Sequence, residues 1–321
     1  MMLEIQPIPY KDKPVLQNLI QLYRYDSSEF DGHALSQHGL YPYKYLDHQW
    51  TDEYRHPFLI KIDDEIAGFI FVLTGVPKEY VKLSTANETN VISDFFIMRK
   101  FRRRNYGKQA AFYLFDRFPG AWEIRQTEIN IHATQFWKRV IDEYTKIKER
   151  KMSMELKEIK QKLKETRDEL LGIVNALNGD QLSKRKDQNS WTISQVCQHL
   201  IKTEELYVMA IKKGLKSTED SFSENIPQWE LLVDRSNKIE APDIAKPDAE
   251  ALEGTEIIEK LNHSREKLNE VLITVKDPSL LSRRHFVHPV FKEMSLIEWV
   301  KSLYLHEQRH IKQIIEIKDG I

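Results

Sequence analysis

The chain has 321 residues, 41% hydrophobic and 30% charged, enough apolar content to bury two ordinary cores, so two domains are expected. Its 48 lysines and arginines balance 49 aspartates and glutamates for a formal net charge of −1, which gives neither nucleic acid nor an anionic membrane a global electrostatic hold. Cys197 is the single cysteine and has no intrachain partner; with no cationic-then-apolar start and no apolar run of membrane-spanning length, the sequence predicts a soluble, cytoplasmic protein.

Up to about residue 150, β-rich runs at 58–62, 66–73, 91–98 and 127–131 alternate with helical patterns at 13–25, 107–118 and 132–145. They predict an α/β domain over residues 1–148, a mixed sheet with flanking helices. The Asp63-Asp64-Glu65 break between the first two runs predicts a hairpin. Between the third run and the second helix lies Arg102-Arg103-Arg104-Asn105-Tyr106-Gly107-Lys108. A strand, a tight loop and a helix N-terminus together offer unpaired backbone N–H groups and the positive end of a helix dipole, which suits a pyrophosphate. Basic side chains would add charge-assisted bonds, and Gly107 would let the backbone approach closely. A solvated basic turn explains the same residues equally well.

This loop resembles the Arg/Gln-x-x-Gly-x-Gly/Ala acetyl-CoA loop of GNAT acetyltransferases, and Asn130, Ala133, Phe136 and Trp137 resemble their downstream Asn-x-x-Ala-x-x-Phe-Tyr segment. Arg102 takes the first motif position and Gly107 the last; Asn105 stands where glycine is usual, and asparagine tolerates a left-handed backbone better than most residues. The resemblance implies acetyl-CoA as cofactor and an amine as acceptor. It places the cofactor on the 102–108 loop, along Phe96, Ile97 and Met98, and against Asn130 and Phe136. Asp94 is the best carboxylate for deprotonating an amine, although a structural strand-end aspartate fits the sequence as well. Tyr41, Tyr43, Tyr45 and Trp50 fit either an acceptor pocket or the core. Two departures stand out. Trp137 occupies the place of a tyrosine that protonates the departing thiolate in many relatives, and an indole cannot do so. The chain also passes from this helix into a charged helical linker, residues 146–151, where the family continues into two further strands, so a truncated sheet is expected.

Residues 152–321 carry four long amphipathic segments and predict an all-α four-helix bundle with a long second-to-third connection at 214–253. The first seam runs Leu156, Ile159, Leu163, Thr166, Leu170, Ile173 and Leu177, with Asn178-Gly179 suited to a left-handed stop. The second opens with the capping pattern Thr192 to Gln195 and carries Val196, His199, Thr203, Leu206 and Ala210. The third repeats Ile257, Leu261, Ser264, Leu268, Val271 and Val275. The fourth opens with Ser295 to Glu298 and continues Leu296, Trp299, Leu303, His306, His310, Gln313 and Ile317.

Intervals of three and four put His306 and His310 on the inward face of their helix. Two adjacent imidazoles in a core need a partner, and a divalent cation would satisfy both; His199, on the inward face of another helix, can converge with them. Three neutral imidazoles would hold zinc, nickel or a similar ion and leave a position open. An ordinary half-buried histidine is the plainer reading of His199 alone. His285 and His288 fall in a loop-like stretch and read as solvent-exposed, and Cys197 reads as a small buried residue rather than a ligand.

Residues 189–200 and 305–313 together resemble the DinB-like superfamily of metal-binding four-helix bundles, over about residues 153–318. That resemblance implies His199, His306 and His310 as the metal triad, and its better characterised relatives, thiol S-transferases, imply a low-molecular-weight thiol as substrate. The leading expectation is a bifunctional fusion of an acetyl-CoA-dependent N-acetyltransferase and a metal-dependent thiol transferase or hydrolase. It takes small-molecule substrates, with no nucleic-acid or membrane partner and with a homodimer admissible. The alternatives keep the metal enzyme beside a CoA-sensing or partner-binding N-terminal domain, or make the chain a non-enzymatic scaffold.

Overall fold

Strand alternation organises the first of the two units, Met1–Lys146 and Ile147–Ile321, into which the chain divides in the computed structural model. The structure describes residues 2–126, 129–217, 227–236 and 239–320. Strands β1 (Leu3–Pro7), β2 (Arg55–Ile62), β3 (Glu65–Pro77), β4 (Glu88–Ile97) and β5 (Ala121–Ile124) form one sheet in that order, antiparallel except for the parallel β4–β5 pair. Phe58, Ile60 and Ile62 of β2 and Ile70 and Val72 of β3 face one side. There they pack on Ala110, Ala111, Leu114 and Phe115 of α3 (Tyr106–Arg117) and on Trp137 and Val140 of α4 (Ile131–Asn175). The intervening residues Leu59, Phe69 and Phe71, with Phe96 of β4, face the other side and meet Leu16, Leu19 and Ile20 of α1 (Lys13–Asp31). Period-two alternation thus builds two cores on one sheet. A short helix α2 (His48–Thr51) leads into β2.

The predicted hairpin is present: Asp63 and Asp64 take φ of 47° and 66°, the left-handed pair that a tight two-residue turn requires. The strand predicted at 127–131 is not. Ile131 already begins α4, residues 127 and 128 lie outside the described residues, and the strand beside β4 is β5, six residues earlier. The helix predicted at 132–145, the linker and the first bundle helix are one continuous helix, α4. Pairing of β4 with β5 covers Thr89 to Ile92 only, and the β3–β4 register shifts just beyond, between Phe71 and Val72, leaving Ser93 as a bulge. Past the bulge, β4 has no β5 partner among the described residues. Gly68 of β3 is fixed by sterics, because a Cβ there would fall on the Phe96 carbonyl of β4.

In the second unit four long helices, the C-terminal part of α4, α6 (Ile193–Lys216), α8 (Gly254–Thr274) and α10 (Leu296–Asp319), carry two apolar clusters. One holds Leu170 and Val174, Val196 and Leu200, Ile257 and Leu261, Ile311 and Ile314. The other holds Leu156 and Leu163, Tyr207 and Ile211, Leu268 and Val271, Trp299 and Leu303. Following each helix from one cluster to the other makes α6 and α8 parallel to each other and antiparallel to α4 and α10. Parallel neighbours cannot be joined by a short turn, which accounts for the long predicted connection. Short helices α5 (Gly179–Leu182), α7 (Glu230–Val233) and α9 (Leu280–Arg283) fill the connections. The predicted capping boxes of α6 and α10 are both made reciprocally, Thr192 with Gln195 and Ser295 with Glu298. Asn178 is not a left-handed stop; its backbone is extended and its side chain caps α5. Nor is the unit purely helical, since β6 (His285–His288) and β7 (Lys292–Ser295) form a hairpin before α10. Among the described residues no helix is long and apolar enough to cross a membrane.

Between the apolar clusters lies a charged layer to which each long helix contributes one residue: Arg167, Glu204, Arg265 and Glu307, all buried. Arg167 bonds Glu307 and Glu204 at 2.7 Å each, and Arg265 bonds Glu204 at 2.5 Å and Glu307 at 3.1 Å. Each guanidinium also donates to a backbone carbonyl, Arg167 to Leu261 and Arg265 to Leu163. Burial would raise the Glu204 carboxyl, but Arg167 and Arg265 outweigh it and hold it below the usual carboxylate range. Removing one member leaves a charge uncompensated in a core. Glu204→Gln should therefore cost about 3–5 kcal/mol of unfolding free energy by chemical denaturation. Because the folded Glu204 carboxyl titrates below its unfolded value, its contribution is intact above the ordinary carboxylate range and is lost as pH falls through the folded value. The wild type should thus lose stability in acid more steeply than Glu204→Gln.

Candidate functional site

α6 presents His199 and α10 presents His306 and His310 toward one another, and their ligand-capable nitrogens all lie within 4.8 Å. The Nε2 atoms meet: His306 Nε2 is 3.2 Å from that of His199 and 3.1 Å from that of His310. Tautomers follow from the outer nitrogens. His199 Nδ1 lies 2.8 Å from the Ala245 carbonyl, which can only accept, so Nδ1 carries the proton and Nε2 an inward lone pair. His310 Nδ1 lies 2.7 Å from Gln313 Oε1, with the same consequence. Around a tetrahedral ion with bonds of about 2.0–2.1 Å, donor nitrogens stand about 3.3–3.4 Å apart, close to the spacing here. Burial pushes the His199 pKa down, the Ala245 bond opposing it in part. Burial, then the neighbouring imidazoles, pushes His306 well below its ordinary value and His310 to about 3. All three are therefore neutral, the form that ligates, and the donor set fits a divalent ion with affinity for imidazole. His199 and His310 are buried and His306 is half-buried.

In the first unit the 102–108 loop takes left-handed backbone at two non-glycine residues, Arg103 (φ 60°) and Asn105 (φ 63°), immediately before α3. Alternating backbone of this kind turns successive N–H groups into one concavity, beside the N–H groups that open α3. The Arg103 and Arg104 side chains are exposed. Arg102, expected to reach the phosphates, is turned inward: it bonds Asp26 of α1 and donates to the Ile97 carbonyl at 2.7 Å. Lys108 is paired with Glu143 at 2.8 Å. Tyr106, Phe96 and Ile97 bury their side chains in the cores and offer a ligand only backbone, while Met98 is half-buried. Asn130 Oδ1 accepts from the Ala133 N–H and caps α4. A Cβ on Gly107 would stand 3.2 Å from the Phe136 ring, so this glycine also permits the packing of α3 on α4. Trp137 is buried edge-on against Phe95 and Phe136. Asp94, beside the bulge, accepts from Tyr43 at 3.0 Å, and burial together with Asp94 raises the Tyr43 and Tyr23 pKa values, so both phenols stay protonated. Trp50 donates to the Ile8 carbonyl at 2.7 Å, a core role, and Tyr45 is exposed.

The acetyltransferase (GNAT) family model matches residues 19–141, and the DinB superfamily model matches residues 162–314. The chain is a GNAT-family domain followed by a DinB-superfamily domain. It is 30% identical over 157 residues to the uncharacterized protein YuaE of Bacillus subtilis (strain 168), covering 49% of this chain and 93% of that protein. Among solved structures it is similar to an aminoglycoside acetyltransferase from an uncultured soil metagenomic sample, 16% identical over 43% of this chain and 86% of that one, with a TM-score of 0.32. It is likewise similar to TT2238, a four-helix bundle protein, 19% identical over 50% of this chain and 97% of that one, with a TM-score of 0.33.

Within the DinB-superfamily domain, His288 overturns the expectation of a solvent-exposed loop residue. It lies on β6 at 3% exposure and accepts on Nδ1 from the backbone of Val290 and Phe291, so its Nε2 proton faces Tyr207 Oη at 2.6 Å. Burial pushes its pKa to about 4. Its role is to fasten the hairpin to the bundle. Burial also raises the Cys197 thiol to about 12, which makes it inert. Sequence reasoning missed the charged layer, whose one signal was a charge beside the seam at matching depth on all four helices. It also missed Glu123 of β5, a buried carboxylate that accepts from the backbone N–H groups of Lys82, Leu83 and Ser84 and so shapes the loop before β4. In the GNAT-family domain, Asn105→Gly should relieve the left-handed backbone and raise unfolding free energy by about 1 kcal/mol. A drop in denaturant midpoint would instead assign the Asn105 side chain a stabilising contact.

Proposed function

We propose that the chain is bifunctional, a divalent-metal-dependent thiol S-transferase in its DinB-superfamily domain and an acetyl-CoA-dependent N-acetyltransferase in its GNAT-family domain. The convergence of three Nε2 atoms from neutral, oriented imidazoles carries the first half. His199, His306 and His310 would hold the ion, zinc or nickel by ligand type, with Ala245 and Gln313 fixing two of the rings. When bound, such an ion supplies a Lewis acid that holds a thiol as thiolate or lowers the pKa of a water to about 7. Three protein ligands leave a coordination position for that partner. The second half rests on family membership and on the loop. Its backbone N–H groups with Arg103 and Arg104 suit a pyrophosphate, the unpaired edge of β4 beyond the bulge suits an extended pantetheine, and Asp94 suits an amine. Arg102, held by Asp26, would position the loop rather than touch the cofactor.

Two measurements test this reading. Protein purified without a histidine tag should carry a stoichiometric divalent ion; His310→Ala should lose it, and His285→Ala should keep it. Full metal occupancy after replacing all three histidines would exclude the site. With the ion restored, apo protein should gain conjugation of a low-molecular-weight thiol to a model electrophile, whereas thiol-independent ester or amide hydrolysis would make the domain a hydrolase. Calorimetry should detect acetyl-CoA binding that weakens by about tenfold or more when Arg103 and Arg104 are both replaced by alanine. An unchanged dissociation constant would exclude the loop as the phosphate site.

A further inference from the structure

Thr203 lies one helical turn beyond His199 on the same face of α6 and is 8% exposed. Its hydroxyl is buried and has no hydrogen-bond partner. That is unusual twice over. A helical threonine ordinarily donates to a carbonyl three or four residues back, as Thr166 does to Leu163 and Lys162 on α4. And the polar side chains around it at this depth are satisfied: Arg167, Glu204, Ser264, Arg265 and Glu307 bond one another. A core that pairs its charges so thoroughly yet leaves one hydroxyl orphaned points to a partner outside the chain.

The place of that partner follows from helix geometry. Residues four apart are neighbours on a helix surface, so the Thr203 hydroxyl stands beside the imidazole whose Nε2 faces His306 and His310. Three histidines leave a coordination position for one exogenous ligand, and that ligand is anionic, a hydroxide or a thiolate. We propose that the Thr203 hydroxyl donates a hydrogen bond to the exogenous anion held at the histidine site, which makes Thr203 a catalytic residue of that site. The proposal rests on the metal reading above. A donor aimed at the anion favours its charged form and so selects thiolate over thiol.

The test uses the full chain loaded with cobalt(II), whose visible spectrum reports the fourth ligand, titrated with 2-mercaptoethanol and with azide. Thr203→Val, the nearest isostere without a hydroxyl, should keep stoichiometric cobalt but bind both anions about ten- to hundredfold more weakly, the usual worth of a hydrogen bond to a charge. Thr203→Ser should restore most of the affinity. In metal-free protein, Thr203→Val should raise the melting temperature, because it removes an orphaned hydroxyl that the apo core cannot satisfy. Equal anion affinity in wild type and the valine variant would overturn the proposal while leaving the metal reading standing. Loss of cobalt from the valine variant would also overturn it, by making Thr203 part of the ion's own hold. Failure of the wild type to take up any cobalt would instead remove the metal reading, and the proposal with it.

Discussion

The second domain depends on the layer in which Arg167, Glu204, Arg265 and Glu307 cross-link four helices at mid-depth. Two guanidiniums and two carboxylates sum to zero, so the layer is tolerable in an apolar interior only when all four helices are present. Any three of them would bury a net charge, and burying an unpaired ion costs more than one helix's apolar contacts return. Partial bundles are thereby excluded, which makes folding of this domain cooperative. The same layer fixes helix rotation. Glu204 follows Thr203 and Glu307 follows His306, so locking the two carboxylates onto the arginines sets the faces that α6 and α10 turn toward the histidine site.

The two candidate sites are built from different materials. The histidine site is made of side chains on rigid helices, and its order comes from second partners, the Ala245 carbonyl and the Gln313 amide, that decide which nitrogen keeps its proton. The 102–108 loop is made chiefly of backbone. Its most suggestive side chain, Arg102, is spent on Asp26 and the Ile97 carbonyl, so the loop owes its shape to that ion pair and its anion affinity to N–H groups and to Arg103 and Arg104.

Much of this was legible because apolar periodicity and caps are local signals. The seams of α6, α8 and α10, the caps at Thr192 and Ser295, and the turn at Asp63 and Asp64 all follow from neighbours within a few residues. The charged layer was not legible, since Arg167 beside Asp168, or Glu204 beside Glu205, reads as an ordinary solvated face until the partner 37 residues on is known. Strand β5 was missed for a related reason: four residues, Ala121 to Ile124, are too few to show alternation, and the apolar character at 129–131 drew the assignment downstream. The β6–β7 hairpin hid behind Pro289 and two four-residue strands, and with it the burial of His288.

The parallel run of α6 and α8 has a consequence for the connection between them. To start α8 where α6 started, the chain must travel back along a helix of 24 residues, about 36 Å. On that return path residues 245–252 are stitched to α6 by Ser194, Gln198 and Lys202, and the first stitched carbonyl, Ala245, is the one that orients His199. A segment whose polar composition looks like a spacer is thus a wall of the site, and shortening it to stabilise the bundle would remove the acceptor that holds the His199 imidazole in its ligating tautomer.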